Sequence, residues 1–185
     1  MPYQPIPAKR SAAQYVYYTA PAAADLVSVV AAILPANGAL TLVANSIDYP
    51  RKLQVRIVDA DTSILTGTVA LVGTGSSGEA VSESITMVGG TATTVTKWAY
   101  AALTSATVVA VTGQGAGDTV GIGLGAPLGL PRGTDPTLAH TLTVSKEDVN
   151  NVNEAVGTVD STAGTVSPTS APNAAKNFGF WYNYT

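Results

Sequence analysis

The stretch Leu53-Gln54-Val55-Arg56-Ile57 decides the class of fold. Its apolar and polar residues alternate, and successive side chains of a β strand point to opposite faces of the sheet. The three odd-numbered residues are therefore expected to face a core, and Arg56 is expected to face outward. This alternation predicts a β strand that is buried on one face only.

The sequence that follows this strand continues the same pattern. Short segments rich in Val, Ile and Thr are separated by clusters of Gly, Asp and Ser, which is typical of β sandwiches and β barrels. We predict an all-β protein with a single β-sandwich or β-barrel domain. Further strands are expected at residues 67–72, 79–88, 93–97, 107–112, 119–124 and 138–144.

Residues 25–34 fit two interpretations. Leu26, Val29 and Ile33 fit the apolar stripe of a helix, whereas the β-branched content of the segment favours a strand. A second apolar segment, residues 39–43, follows a Gly-containing turn. We therefore favour a β hairpin over a helix.

Glycine occupies one face of the predicted strand at residues 119–124. Gly121 and Gly123 alternate with Val120 and Ile122, so the glycine face has no side chains of its own. We expect another backbone segment or an aromatic ring to lie against it.

The two ends of the chain differ from its middle. Residues 1–24 and 155–185 contain several prolines, so we predict extended arms on either side of a β domain at residues 25–154. The arms hold nine of the twelve aromatic residues, and aromatic side chains dominate anchoring at interfaces. The sequence is compatible with arms that dock on their own domain, with arms that dock on neighbouring subunits, and with both together. The nine candidate interface residues are Tyr3, Tyr15, Tyr17, Tyr18, Phe178, Phe180, Trp181, Tyr182 and Tyr184.

Charged residues are scarce in this chain. They make up 11% of it, whereas an ordinary soluble domain carries about 25%. The net charge is −3, and the basic residues do not cluster into a surface that could displace counterions from phosphate. We therefore expect no nucleic-acid partner, and we expect protein partners to cover much of the surface.

Cysteine and long apolar runs are both absent from the sequence. Without cysteine the chain has no disulfide and no zinc site that needs sulfur ligands. The longest apolar run, residues 26–34, is far shorter than the roughly 20 residues that span a bilayer, so we expect no transmembrane helix and no membrane partner. Residues 11–24 are polar and broken by proline, which argues against a signal peptide.

Two features suggest a cofactor or catalytic site, and each has a simpler interpretation. Residues 73–78 have the glycine spacing of a dinucleotide-binding loop, but the strand pattern at residues 79–88 replaces the required helix and indicates a hairpin loop. His140 is the single histidine, and the sequence contains no nucleophile elbow to accompany it. Since it alternates with Leu138 and Leu142, we predict a structural histidine on the inward face of a strand.

Two pairs of carboxylates also suggest a metal or catalytic site. Asp59 and Asp61 could share a hard cation, but the rest of an EF-hand loop is missing and a solvated turn is favoured. Glu79 and Glu83 could imitate a glycosidase pair, but such a pair needs a deep cleft lined by aromatic residues. We expect no catalytic residue, no metal, no cofactor and no enzymatic activity.

Residues 51–61 and 122–125, with the Gly- and Pro-bearing tail at residues 164–173, resemble virion structural proteins of tailed bacteriophages. The resemblance extends over residues 45–185 and lies in Gly-, Thr- and Val-rich strands followed by a proline-bearing tail. It implies first a head decoration (cement) protein, which binds and stabilises an icosahedral capsid at symmetric points.

The same resemblance implies particular partners and a location. The partners would be the major capsid protein or other virion subunits, and copies of the chain itself as a trimer or dimer. The location would be the virion, assembled in the host cytoplasm. Tail-tube, connector and fibre subunits are alternatives, and a carbohydrate-binding β-sandwich module, with Trp98 and Tyr100 as its sugar platform, is the alternative from another class.

Overall fold

The structure is a computed structural model that describes residues 13–64, 66–87, 89–131, 140–148 and 157–184. Within these ranges the chain forms thirteen β strands and no helix, which confirms the predicted all-β fold. The strands are β1 Ala13–Tyr18, β2 Val30–Ile33, β3 Gly38–Ala39, β4 Arg51–Val58, β5 Thr66–Thr74, β6 Ala80–Thr86, β7 Ala92–Tyr100, β8 Ala102–Thr112, β9 Thr119–Gly129, β10 His140–Asp148, β11 Thr158–Asp160, β12 Thr165–Ser167 and β13 Asn177–Tyr184.

The strands are arranged in three antiparallel sheets. The large sheet has the order β11-β12-β9-β4-β7, and β2 also pairs with β9. The four-stranded sheet has the order β3-β8-β5-β6, and the terminal sheet has the order β1-β13-β10. The curled sheets form a sandwich-like arrangement.

The main core lies between the large sheet and the four-stranded sheet. Every second residue of β4 is buried, as the alternation in its sequence predicts. Leu53 and Val55 from this strand join Val69 and Leu71 of β5 in one buried cluster. Burial of one such side chain contributes about 1.5–3 kcal/mol, so the cluster is the main source of stability for the sandwich.

Residues 25–34 do not form the predicted hairpin with residues 39–43. β2 pairs with β9 in the large sheet, whereas β3 pairs with β8 in the four-stranded sheet. The chain leaves the large sheet at Pro35, which has no N–H to continue a ladder, and the amide of Ala36 donates to the carbonyl of Leu34 at 2.9 Å in a tight turn. The hairpin prediction is wrong because this segment crosses between the sheets.

The glycine face of β9 is covered by a neighbouring stretch of backbone, as predicted. A Cβ atom at Gly121 would lie 3.1 Å from the carbonyl oxygen of Leu26, and one at Gly123 would overlap the backbone of Asp25. The amide of Asp25 donates to the carbonyl of Leu124 at 2.9 Å. The glycines therefore allow the segment before β2 to cross β9 at close range.

The two ends of the chain pair with each other. β1 and β13 are antiparallel neighbours, with Tyr18 opposite Phe178, and β13 also pairs with β10. Phe178 and Phe180 are fully buried in a second cluster with Tyr18 and with residues of β9 and β12. Both predicted arms thus contain strands, and both contribute side chains to a core.

Candidate functional site

The outer face of the four-stranded sheet is built from small, uncharged side chains. Val69 and Leu71 of β5 point inward, so the even-numbered residues of this strand point outward. The even-numbered residues of β6 lie opposite them in the ladder, as do Ser105, Thr107 and Val109 of β8. We call these residues of β5, β6 and β8 together the hydroxyl face.

The composition of the hydroxyl face is uniform. Eight of its twelve residues are Ser or Thr, and the others are Ala or Val. Glu83 is the one charged residue in the four strands, and it lies on the inward side of β6. No side chain on the face is larger than valine, and Val72 and Val109 are each 45% exposed. The result is a neutral surface of small side chains.

The large sheet differs from the four-stranded sheet in this respect. Its strands β4 and β7 carry Lys52, Arg56 and Lys97. Lys52 makes an ion pair with Asp160 at 3.1 Å. The neutral character is therefore a property of one sheet of the sandwich and does not extend to the other.

Three carboxylates meet where β4 ends and β9 begins. Oxygen atoms of Asp59, Asp61 and Asp118 all lie within 4.8 Å of one another. The sequence pattern indicates Asp59 and Asp61 as a carboxylate pair but gives no sign of Asp118. The pairing of Val58 with Thr119, which brings the two loops together, is not visible in local patterns. Among the described residues, this group could hold a hard cation.

The carboxylates of this cluster are engaged by backbone amides. Asp118 accepts from Ala60 at 2.8 Å and from Gly115 at 2.7 Å. Asp59 accepts from Gly90 at 2.8 Å and from Ser63 at 2.9 Å. The hydrogen bond from the Gly90 amide lowers the pKa of Asp59, whereas burial raises it. The amides of residues 62–64, in the loop that follows Asp59, lower the pKa further. The cluster therefore fastens three loops to one another.

Glu83 has a comparable structural role at a sheet edge. Its carboxylate accepts from the amide of Lys97 at 2.8 and 2.9 Å and from that of Trp98 at 3.5 Å. These two amides belong to a bulge of β7, where Thr96 instead of the backbone accepts from the amide of Leu53 at 2.9 Å. Glu79 accepts from the amide of Ser77. The two glutamates thus hold separate backbone segments and do not form a pair.

The nine candidate interface aromatics fall into three groups. Tyr18, Phe178 and Phe180 are buried within the chain, and the rings of the two phenylalanines stack at 6.4 Å. Tyr17 is 51% exposed. Tyr3 lies outside the described residues, while Tyr15, Trp181, Tyr182 and Tyr184 are described only by their backbones in β1 and β13.

The remaining candidates can also be placed. His140 begins β10 opposite Tyr184. The predicted inward orientation of the His140 side chain lies outside what the structure describes. Residues 75–79 connect β5 to β6, which confirms a hairpin loop whose first two predicted residues, 73 and 74, belong to β5. Tyr100 is fully buried, and its burial, together with the charge of Glu83, raises the pKa of its hydroxyl. Trp98 and Tyr100 therefore do not form an exposed sugar platform.

A cleft of about 460 Å³ is lined by residues 42–47, by residues 101–103 and by Val29. Most of the residues that line it have apolar side chains, and Asn45 and Ser46 contribute the polar ones. No titratable group is among the residues that line it. The cleft offers shape without acid–base chemistry.

Comparison with protein-family models, with curated proteins and with solved structures finds no match for the chain. Across the ranges that the structure describes, no helix has the length and apolar character needed to cross a membrane.

Proposed function

We propose that this chain is a non-enzymatic structural subunit that works by docking onto other proteins in a large assembly. The hydroxyl face is the observation that carries the proposal. Its Val72 and Val109 side chains are almost half exposed on a neutral surface, and extended neutral surfaces of this kind favour contact with other proteins.

The carboxylates that accept hydrogen bonds from backbone amides support the same proposal. Asp59, Asp118 and Glu83 bind backbone amides and thereby hold loops and a sheet edge in place. Groups that are engaged in this way serve the fold, whereas a catalytic acid or base must reach a substrate. The open cleft near Val29 has no titratable lining. The described polar groups thus favour a structural role.

The specific role that we propose is decoration of an icosahedral capsid of a tailed phage, with the major capsid protein or other virion subunits as partners. The resemblance in residues 45–185 and the 11% charged content support this role. A subunit that binds the assembled shell and not its dissociated parts stabilises the shell by mass action. Many equivalent sites on one shell would also make modest individual contacts effective through avidity.

The test is to compare the thermal stability of particles that carry this protein with that of particles that lack it. We expect a higher melting temperature of the decorated shell and an unchanged lattice in electron micrographs. Val72→Arg should reduce the effect because it places a charge on the hydroxyl face, whereas Val95→Arg, at an equally exposed valine of the large sheet, should not. Identical melting of both kinds of particle, or location in the tail alone, would contradict the capsid role.

A further inference from the structure

The dipeptide Asn37-Gly38 lies where the chain enters the four-stranded sheet. Asn37 is the one asparagine of the sequence that a glycine follows. It is exposed, and Gly38, the first residue of β3, is exposed as well. The backbone nitrogen of a glycine can approach the side-chain amide of the preceding asparagine most easily, because glycine has no Cβ atom to obstruct it. Asn37 is therefore a candidate for chemical modification.

The side-chain amide of Asn37 is held by the backbone of β8. Its Oδ1 atom accepts from the amide of Val111 at 2.8 Å, and its Nδ2 atom donates to the carbonyl of Val111 at 3.4 Å. The first contact stabilises the negative charge that develops on Oδ1 when a nucleophile attacks Cγ, as the donors of an oxyanion hole do. The second contact is long and holds the leaving nitrogen weakly. Both contacts favour loss of the amide nitrogen.

The backbone at Gly38 has the freedom to reach the Asn37 side chain. Gly38 lies opposite Val108 in β3, which has two residues and forms an edge of its sheet. So short an edge strand opens at a small cost in free energy. The φ angle of Gly38 is 135°, and no atom lies within 4 Å of the position that a Cβ would occupy. Its backbone can therefore rotate towards Asn37 without a collision.

We propose that Asn37 undergoes spontaneous deamidation in the folded chain, an inference that goes beyond the proposed function and does not rest on it. The backbone nitrogen of Gly38 forms a bond to Cγ of Asn37, the bond from Cγ to Nδ2 breaks, and Nδ2 leaves as ammonia with the proton from Gly38. Water then opens the succinimide ring and returns a proton to the Gly38 nitrogen. Opening at Cγ gives aspartate, whereas opening at the backbone carbonyl of residue 37 gives isoaspartate.

Either product changes how β3 is attached to β8. Aspartate has no Nδ2 donor for the carbonyl of Val111 and places a negative charge beside that oxygen. Isoaspartate carries the backbone through the side-chain carbon atoms, and the longer backbone displaces Gly38 from its position opposite Val108. We therefore expect the modified chain to open more easily at this edge of the sheet.

The experiment is peptide mapping by mass spectrometry after incubation of the full chain at mildly alkaline pH, with isoaspartyl methyltransferase as an independent detector of isoaspartate. We expect Asn37 to deamidate at least about 10-fold faster than Asn45, which precedes serine, because only glycine leaves the attacking nitrogen unobstructed. Gly38→Ala should slow the reaction by a similar factor, and circular dichroism verifies that this variant is folded. Parallel samples in urea give the rate for the unfolded chain. If Asn37 stays intact as long as Asn45, or is modified only in urea, the fold protects it and the inference is wrong.

A second measurement tests the consequence for β3. Asn37→Asp reproduces one of the two products, and we expect it to lower the urea concentration at the midpoint of unfolding. Asn45→Asp is the matched control, because it introduces the same charge at another exposed asparagine, and its midpoint should be that of the wild type. Equal midpoints for Asn37→Asp and the wild type would contradict the loosening of β3.

Discussion

At the scale of single residues, Arg51 of the large sheet is a buried cation that needs hydrogen-bond acceptors within the fold. It is fully buried, and its guanidinium donates to the carbonyls of Gly125 at 2.7 Å and Ala22 at 2.9 Å and to the carboxylate of Asp48 at 3.1 Å. Its Nη2 atom is buried, and no described residue offers that atom a hydrogen-bond acceptor. A buried cation that is incompletely paired stabilises a fold only through the contacts that it does make.

We therefore expect Arg51→Ala to lower the free energy of unfolding by about 3 kcal/mol, because two carbonyls and Asp48 lose their donor. Asp48→Ala should cost less, since the side chain of Asp48 is 27% exposed and the arginine keeps its carbonyl acceptors. Urea denaturation of the two variants and the wild type measures both effects. Equal stability of Arg51→Ala and wild type would show that desolvation of the cation cancels its hydrogen bonds.

Asp59 makes the stability of the fold dependent on pH. Its pKa is lower in the folded state than in the unfolded chain, where the pKa of an aspartate is about 3.9. The stability that it contributes is therefore fully present above that value and is lost as the pH falls through the folded-state pKa. Protonation weakens the acceptor for the Gly90 amide and loosens the loop contact.

The corresponding measurement is urea unfolding at a series of pH values between about 2 and about 7. We expect the free energy of unfolding of the wild type to fall as the pH drops below about 4, and that of Asp59→Asn to fall less over the same interval. The variant should be the less stable protein at neutral pH. Parallel curves for the two proteins would rule out Asp59 as a source of the acid sensitivity.

At the scale of elements, the edge of β7 depends on Glu83. Glu83→Ala removes the acceptor of the Lys97 and Trp98 amides, and we expect the free energy of unfolding to fall by about 0.5–1.5 kcal/mol, because water can replace the carboxylate at this partly exposed site. The exposed edge should also associate with other edges, which light scattering would detect on heating. Glu79→Ala is the matched control because its carboxylate holds a hairpin loop and no strand edge. Similar behaviour of the two variants would contradict a specific edge role for Glu83.

Local periodicity explains which elements could be predicted from the sequence. The alternation in residues 53–57 and the glycines at 121 and 123 depend on neighbouring residues alone, and both predictions are confirmed. The partner of a strand depends on distant residues, so the assignment of β2 and β3 to different sheets could not be seen locally. Asp118 was missed as part of the acidic cluster for the same reason, because it meets Asp59 only through the register of β4 with β9.

At the scale of the whole molecule, substitutions in the terminal sheet test whether the strands β1 and β13 serve folding or assembly. Phe180→Ala should cost about 3–5 kcal/mol, because the ring is fully buried between β9, β12 and Tyr18. Tyr17→Ala changes an aromatic residue of the same sheet that is 51% exposed, and it should cost less than about 1 kcal/mol. Thermal and urea unfolding measure both. If Phe180→Ala were as stable as the wild type, the terminal sheet would lie outside the cooperative fold and the arm prediction would be favoured.

The pairing of β1 with β13 also has a consequence for how the protein is made. The partner of residues 13–18 is residues 178–183, which the ribosome adds about 160 residues later. At synthesis rates of about 5–20 residues per second, the first strand waits on the order of ten seconds or more for its neighbour. During that interval its backbone donors and acceptors are open to solvent and to other nascent chains. Proteins made rapidly on crowded polysomes would thus meet one another before they are complete, and chaperones that shield nascent chains should improve the yield of native molecules.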